Sequence, residues 1–232
     1  MSATTSFLVL LAAAGISTRA AVDDVVSKRL QTAEIRLTTA TFTDCVVRKH
    51  APLVRAVVMS NLPEKRIKRF ASDLLDGYCL SNTERAGGSL GFSTGMLRLA
   101  LAEALIRADY PAPDLLDFST TPSLPDIDKT MNPNGQKDRK VMPLRYTECV
   151  CRKSPGATWR FLSSKIESSE EIQAFKDLDD EFDSCFWRPG FGREAINDNL
   201  ALNFYRGQLA FNFYRLAGVP AGFDVATLKV AS

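Results

Sequence analysis

The residues able to do chemistry are five cysteines, at 45, 79, 149, 151 and 185, a single histidine, His50, and carboxylates set within apolar stretches. A thiolate is a nucleophile and redox group where its neighbours depress its pKa. Cys149-x-Cys151 therefore suggests thiol–disulfide exchange, and His50 with Cys151 a nucleophile and its base, provided their two segments abut. One histidine is too few for HExxH or three-histidine zinc chemistry, and the expectation is no metal and no cofactor. Paired carboxylates facing across a cleft would make an envelope hydrolase of glycan or peptide. Glu103 is the candidate acid, with Asp73, Asp76, Asp179, Asp180 and Glu181 as possible partners, but those five lie in charge-rich helical segments and read as solvated faces. Gly87-Gly88 and Gly91 match neither the phosphate-loop nor the dinucleotide fingerprint.

An internal duplication narrows these readings. Phe42-Thr-Asp-Cys-Val-Val-Arg-Lys49 matches Tyr146-Thr-Glu-Cys-Val-Cys-Arg-Lys153 at five of eight positions. A proline follows in each copy, Pro52 and Pro155, and a second cysteine comes 34 residues after Cys45 and 36 after Cys149. Arg98, Leu101, Ala102 and Arg107 fall on Arg206, Leu209, Ala210 and Arg215 with the same internal spacing. Equivalent spacing predicts equivalent bridges, Cys45 to Cys79 and Cys149 to Cys185. Cys151 then stands where Val47 does and reads as a small buried core residue. Two further polar features recur: an acid beside the first cysteine, Asp44 or Glu148, and an arginine in the closing helix, Arg98 or Arg206. Buried arginines need partners, so Asp44 is expected to meet Arg98, and Glu148 to meet Arg206. Glu103 and Arg107, four apart, are expected to pair on a helix surface.

These residues must be positioned by helices. Val22, Val25, Val26, Leu30, Ala33 and Leu37 recur at three and four and predict a lead helix over 22–41. The cysteine segment 42–50 continues or follows it, Pro52 can occupy the first turn of a new helix, and 64–78 forms another that delivers Cys79. Ser93 is a candidate N-cap for a helix over 96–106 that is apolar nearly all round, hence central. The second copy predicts helices over 157–163, 170–186 and 194–216, with a break at Pro189-Gly190. No alternating strand pattern appears. Residues 111–143 hold six of the eleven prolines and read as a connector. Helix 194–216 interleaves amides with aromatics, and Trp187, Asn199, Asn203, Tyr205, Asn212 and Tyr214 are a candidate binding groove for peptide or sugar.

Across 232 residues, 45% hydrophobic and 24% charged content describes an ordinary globular chain. A net charge of +2, from 29 basic and 27 acidic residues, provides no one-signed field for nucleic acid or anionic lipid. Phe7 to Ile16 is apolar and is followed by Ser17-Thr-Arg-Ala20, which reads as a signal peptide cleaved before Ala21. The first six residues carry no Lys or Arg, and a buried N-terminal helix is the competing reading. The expected organisation is a signal peptide at 1–20, lead helix and first repeat at 21–110, connector at 111–145, second repeat at 146–216 and a tail at 217–232.

The aromatic-x-acid-Cys opening, the later cysteine and the closing Arg-x-x-Leu-Ala helix resemble small exported bacterial helical proteins, over nearly all of the chain after residue 20. The resemblance implies export to periplasm or medium and a repeated helical unit; it implies no activity. The expected fold is all-α, two tandem disulfide-stapled helical repeats packed as a pseudo-symmetric bundle. The expected function is a non-catalytic binding or structural module for a protein, peptide or glycan partner, without nucleic acid and without membrane insertion once the signal is removed. The alternatives are the hydrolase above and a thiol-redox or chaperone-like factor using Cys151.

Overall fold

The structure, a computed structural model, describes residues 8–59, 74, 77–83, 93–111, 116–124, 142–186 and 199–218, with side chains from Thr32 onward except at 82–83, 94, 142–143, 186 and 199–201. Its described residues form eight helices: α1 (Leu8–Met59), α2 (Gly77–Thr83), α3 (Thr94–Asp109), α4 (Met142–Lys153), α5 (Pro155–Ser163), α6 (Ser169–Lys176), α7 (Asp179–Phe186) and α8 (Asn199–Ala217). The N-terminal segment 1–7, the side chains of the apolar stretch after it, Trp187, the glycine and Pro-Gly breaks, most of segment 64–78 and the tail beyond Gly218 lie outside the described residues.

Each helix has a local reason to start or bend where it does. α1 kinks at His50 (φ −130°, ψ 29°). Pro52 lacks the N–H that would bond to the carbonyl of Arg48, and its ring clashes there. Ser154, just before Pro155, has a similar φ of −137° and separates α4 from α5. The two breaks come five residues after Cys45 and Cys149. Ser93 caps α3, its hydroxyl accepting from the Met96 amide at 3.3 Å. The continuous helix expected over 170–186 is instead two, α6 and α7, divided at Asp177–Leu178. The division puts Asp179, Asp180 and Glu181 in a first turn, where carboxylates complement the positive end of the helix dipole.

The core is built on α3 and α8. Leu101, Leu105 and Ile106 of α3 and Leu209, Phe213 and Tyr214 of α8 are fully buried, together with Phe42, Val46 and Val58 of α1. A second layer stacks Phe161 on Phe175 and Phe175 on Phe182, each at 5.1 Å between ring centroids. Each such ring contributes about 1.5–3 kcal/mol by leaving water. α3 and α8 lie side by side and run the same way: Leu99 meets Gly207, and further along both helices Tyr110 donates its hydroxyl to the Gly218 carbonyl at their ends.

Two disulfides pin outer helices to this core. Cys45 is bonded to Cys79, tying α1 to α2, with Cα atoms 5.7 Å apart. Cys149 is bonded to Cys185, tying α4 to α7, with Cα atoms 5.9 Å apart.

Candidate functional site

The densest polar cluster is a chain of seven charged side chains crossing the bundle: Asp44, Arg107, Glu103, Arg206, Glu171, Arg36 and Glu167. Arg107 contacts Asp44 at 2.8 Å and Glu103 at 2.7 Å. Arg206 contacts Glu103 at 3.0 Å and Glu171 at 2.8 Å. Arg36, on the lead stretch of α1, closes the chain onto Glu167 and Glu171.

Arg206 is the hub and has no solvent exposure. Its guanidinium donates to the carbonyls of Phe161 at 2.9 Å, Leu162 at 2.9 Å and Ser164 at 3.0 Å, as well as to the two carboxylates. These carbonyls lie at and just beyond the end of α5, where intrahelical partners run out. A planar five-donor fork suits this capping role. Glu171 is held in turn by a local motif, Ser168-x-x-Glu171: the Ser168 hydroxyl accepts from the Glu171 amide, and the Glu171 carboxylate accepts from the Glu167 amide. That arrangement keeps Glu167 at φ 61°, a left-handed conformation costing a non-glycine residue roughly 1–2 kcal/mol.

The expected pairings are corrected here. Asp44 meets Arg107, not Arg98, which donates to the Val58 carbonyl at 3.0 Å and lies over the Phe211 ring at 4.6 Å. Nine residues of helix separate the two arginines by two and a half turns, so they face opposite sides. Glu148 meets Arg152 at 2.6 Å, not Arg206. Arg152 is one turn away, whereas Arg206 is claimed by the end of α5. Arg152 also donates to the carbonyls of Phe118, Thr121 and Pro122, and so fixes part of the expected connector to α4. Glu103 and Arg107 do pair, but Glu103 is 8% exposed rather than on a surface. Burial works to raise its carboxyl pKa, yet Arg206 and Arg107 outweigh burial and hold it below the ordinary value.

The thiol and groove candidates also have definite places. Cys151 is fully buried and its Sγ lies 3.6 Å from the Leu209 carbonyl. Burial, reinforced by Glu148, pushes the thiol far above its ordinary pKa, the reverse of what nucleophilic or redox chemistry needs. Its expected exchange partner, Cys149, is already bonded to Cys185. His50 sits half-buried at the α1 kink. Of the groove residues, Asn212 and Tyr214 are core. The Asn212 amide donates to the Leu144 carbonyl and the Thr147 hydroxyl, and Tyr214 donates to Asp109 at 2.6 Å. The interleaving of amides and aromatics along the sequence does not tell which face of a central helix turns inward, which is why the groove reading overreached at these two positions. Asn203 and Tyr205 are half-buried beside Phe204, which is 43% exposed. Asn199 opens α8, and Trp187 lies outside the described residues.

Sequence reasoning missed Arg36, Arg152 and Glu171. For Glu171 a signal existed, since Ser-x-x-Glu is a capping-box pattern. For Arg36 there was none, as a charged residue in an amphipathic helix normally faces water. Among the described residues no group of His, Cys, Asp or Glu side chains could hold a metal ion, and no described helix is long and apolar enough to cross a membrane. No protein-family model, curated protein or solved structure matches the chain.

Proposed function

We propose that the chain is an exported, non-catalytic helical interaction module, made of a duplicated and disulfide-stapled unit, that binds a protein, peptide or glycan partner in the periplasm or outside the cell. One observation carries this reading: the side chains with chemical potential serve the fold. Arg206 holds both Glu103 and Glu171 inside the bundle, Cys151 is a buried thiol, and four cysteines form bridges of the sort an oxidising compartment maintains. Phe204, exposed on the amide–aromatic helix beside half-buried Asn203 and Tyr205, is where a partner would meet it.

The duplication is supported by reciprocal contacts. Arg98 and Arg206 are equivalent in the sequence match, and so are Glu103 and Phe211. Arg98 lies over Phe211, and Arg206 pairs with Glu103. Leu99 and Gly207, also equivalent, touch each other. Residue i meeting j′ while j meets i′, with one equivalent pair in self-contact, is the pattern of a twofold-related interface, here within one chain. The second reading, a thiol-redox factor, draws no support from a thiol with this burial.

Intact mass of the protein recovered from the exported fraction, with and without reduction and with alkylation of the native thiols, tests the proposal. A chain beginning at Ala21, with two bridges and an unreactive Cys151, supports it. A retained N-terminus overturns export, and rapid native alkylation of Cys151 makes thiol chemistry the leading function.

A further inference from the structure

The lead stretch of α1 is held unlike the rest of the bundle. Over residues 32–41, Arg36 is the one buried side chain; Glu34, Ile35, Leu37 and Thr41 are exposed and the others half-buried. From Phe42 the pattern reverses, with Phe42, Thr43, Cys45, Val46 and Val47 all buried. A helix normally docks through an apolar stripe. Here the one fully buried side chain among the described residues of the stretch is a guanidinium, gripped by two carboxylates of another unit of the chain, Glu167 and Glu171. The Arg36 side chain is 2% exposed and Glu171 1%, while Glu167 opens to solvent at 23%. The fit in this clamp is incomplete, because the buried Arg36 Nε meets no acceptor.

We propose that residues 32–41 form a displaceable strap latched by Arg36, and that the clamp under it, Glu167 with Glu171, is a guanidinium site which an arginine of a basic partner peptide occupies when the strap lifts. Charge favours such an occupant. The cluster holds four carboxylates, Asp44, Glu103, Glu167 and Glu171, against three arginines; without Arg36 it holds four against two. Arginine matches the clamp because a planar fork serves two separate carboxylates at once, which an ammonium serves poorly. The peptide part of the inference rests on the reading of the chain as an interaction module; the strap part does not.

Native-state hydrogen exchange on the full oxidised chain tests the strap. In the wild type, amides of 32–41 should exchange through a local opening that is nearly independent of denaturant and at least roughly tenfold faster than the amides of 42–50. Arg36→Met should bring 32–41 close to the unprotected rate while 42–50, 94–109 and 199–217 stay protected, with Arg36→Lys intermediate. If the wild-type strap exchanges only with global unfolding, or Arg36→Met leaves 32–41 as well protected as 42–50, the strap is refuted. The wild-type arm decides the matter even if a variant folds poorly. The peptide arm uses acetyl-Gly-Arg-Gly-amide and its lysine counterpart with the Arg36→Met protein, read by calorimetry. Saturable binding of the arginine peptide, weaker binding of the lysine peptide and loss in Arg36→Met/Glu167→Gln support the site. Equal binding of both peptides, or none, overturns the guanidinium site while leaving the strap result standing.

Discussion

Gly207 of α8 rests against Leu99 of α3 so closely that a Cβ on the glycine would stand 3.0 Å from the Leu99 Cβ and 3.4 Å from its Cδ1. The atom in the way is bound directly to the α3 backbone, so it yields only if the helix moves. The absence of a side chain at Gly207 is therefore what lets the two central helices approach, despite the helix-propensity cost of glycine. Gly207→Ala should destabilise the fold by about 1–3 kcal/mol through overpacking, measured by urea unfolding of the oxidised protein. The exchange Leu99→Gly/Gly207→Leu should recover most of the loss seen in Gly207→Leu alone, because under the proposed duplication the two positions are equivalent. A double variant no better than the single would count against that equivalence.

Arg206→Met should be among the most damaging substitutions in the chain. It strips partners from two buried carboxylates and from three carbonyls around the end of α5, and a broken buried ion pair costs about 3–5 kcal/mol. Arg98→Met should cost less, since Arg98 is half-buried where Arg206 is wholly enclosed, and its partners include a carbonyl and a ring in place of two buried carboxylates. Midpoints in urea for the two variants check the order.

Stability should fall at both extremes of pH, for different groups. Glu103 has a folded pKa below the ordinary 4.5, so its ionised form stabilises the fold above that value, and the gain disappears as pH falls through the folded pKa. Tyr110 is pushed up to about 12 from an ordinary 10, mainly by burial, then by Asp109. Its neutral form stabilises the fold below 10, and that contribution is lost as pH rises through about 12. Glu103→Gln should flatten the acid limb of stability against pH while lowering the plateau. Phenolate absorbance during alkaline titration should lag the free-tyrosine curve until unfolding.

Arg152→Ala should loosen the connector without unfolding the bundle. It removes the donors that hold the carbonyls of Phe118, Thr121 and Pro122, and leaves Glu148 to the Leu124 amide. The expected readout is new cleavage within 111–124 under limited proteolysis, with the urea midpoint reduced only slightly. Unchanged cleavage would show that the apolar anchors Phe118 and Leu124, 2% and 7% exposed, suffice.

Removing either bridge should lower stability by about 3–4 kcal/mol through loss of the constraint on the unfolded chain. Cys151→Ala should be milder, and in the wild type the Cys151 thiol should react with an alkylating agent only on the timescale of unfolding, because both its burial and its raised pKa oppose thiolate formation. Mass-resolved alkylation under native and denaturing conditions separates the cases.

The sequence by itself determined the helical class, the Ser93 cap, the proline breaks, the cysteine spacing and the apolar character of the two central helices. Those properties depend on local periodicity, on missing N–H groups and on equal distances along the chain, all of which are one-dimensional. Which charges meet was not of this kind. Asp44 with Arg107, Arg206 with Glu103 and Glu171, and Arg36 with the clamp depend on helix rotation and on which unsatisfied carbonyls lie nearby, and a long arginine reaches several candidates equally well on paper. The apparent groove failed at Asn212 and Tyr214 for the same reason: a pattern of amides and aromatics marks the faces of a helix, but the packing of α8 against α3, α4 and α5 decided which of those faces would meet water.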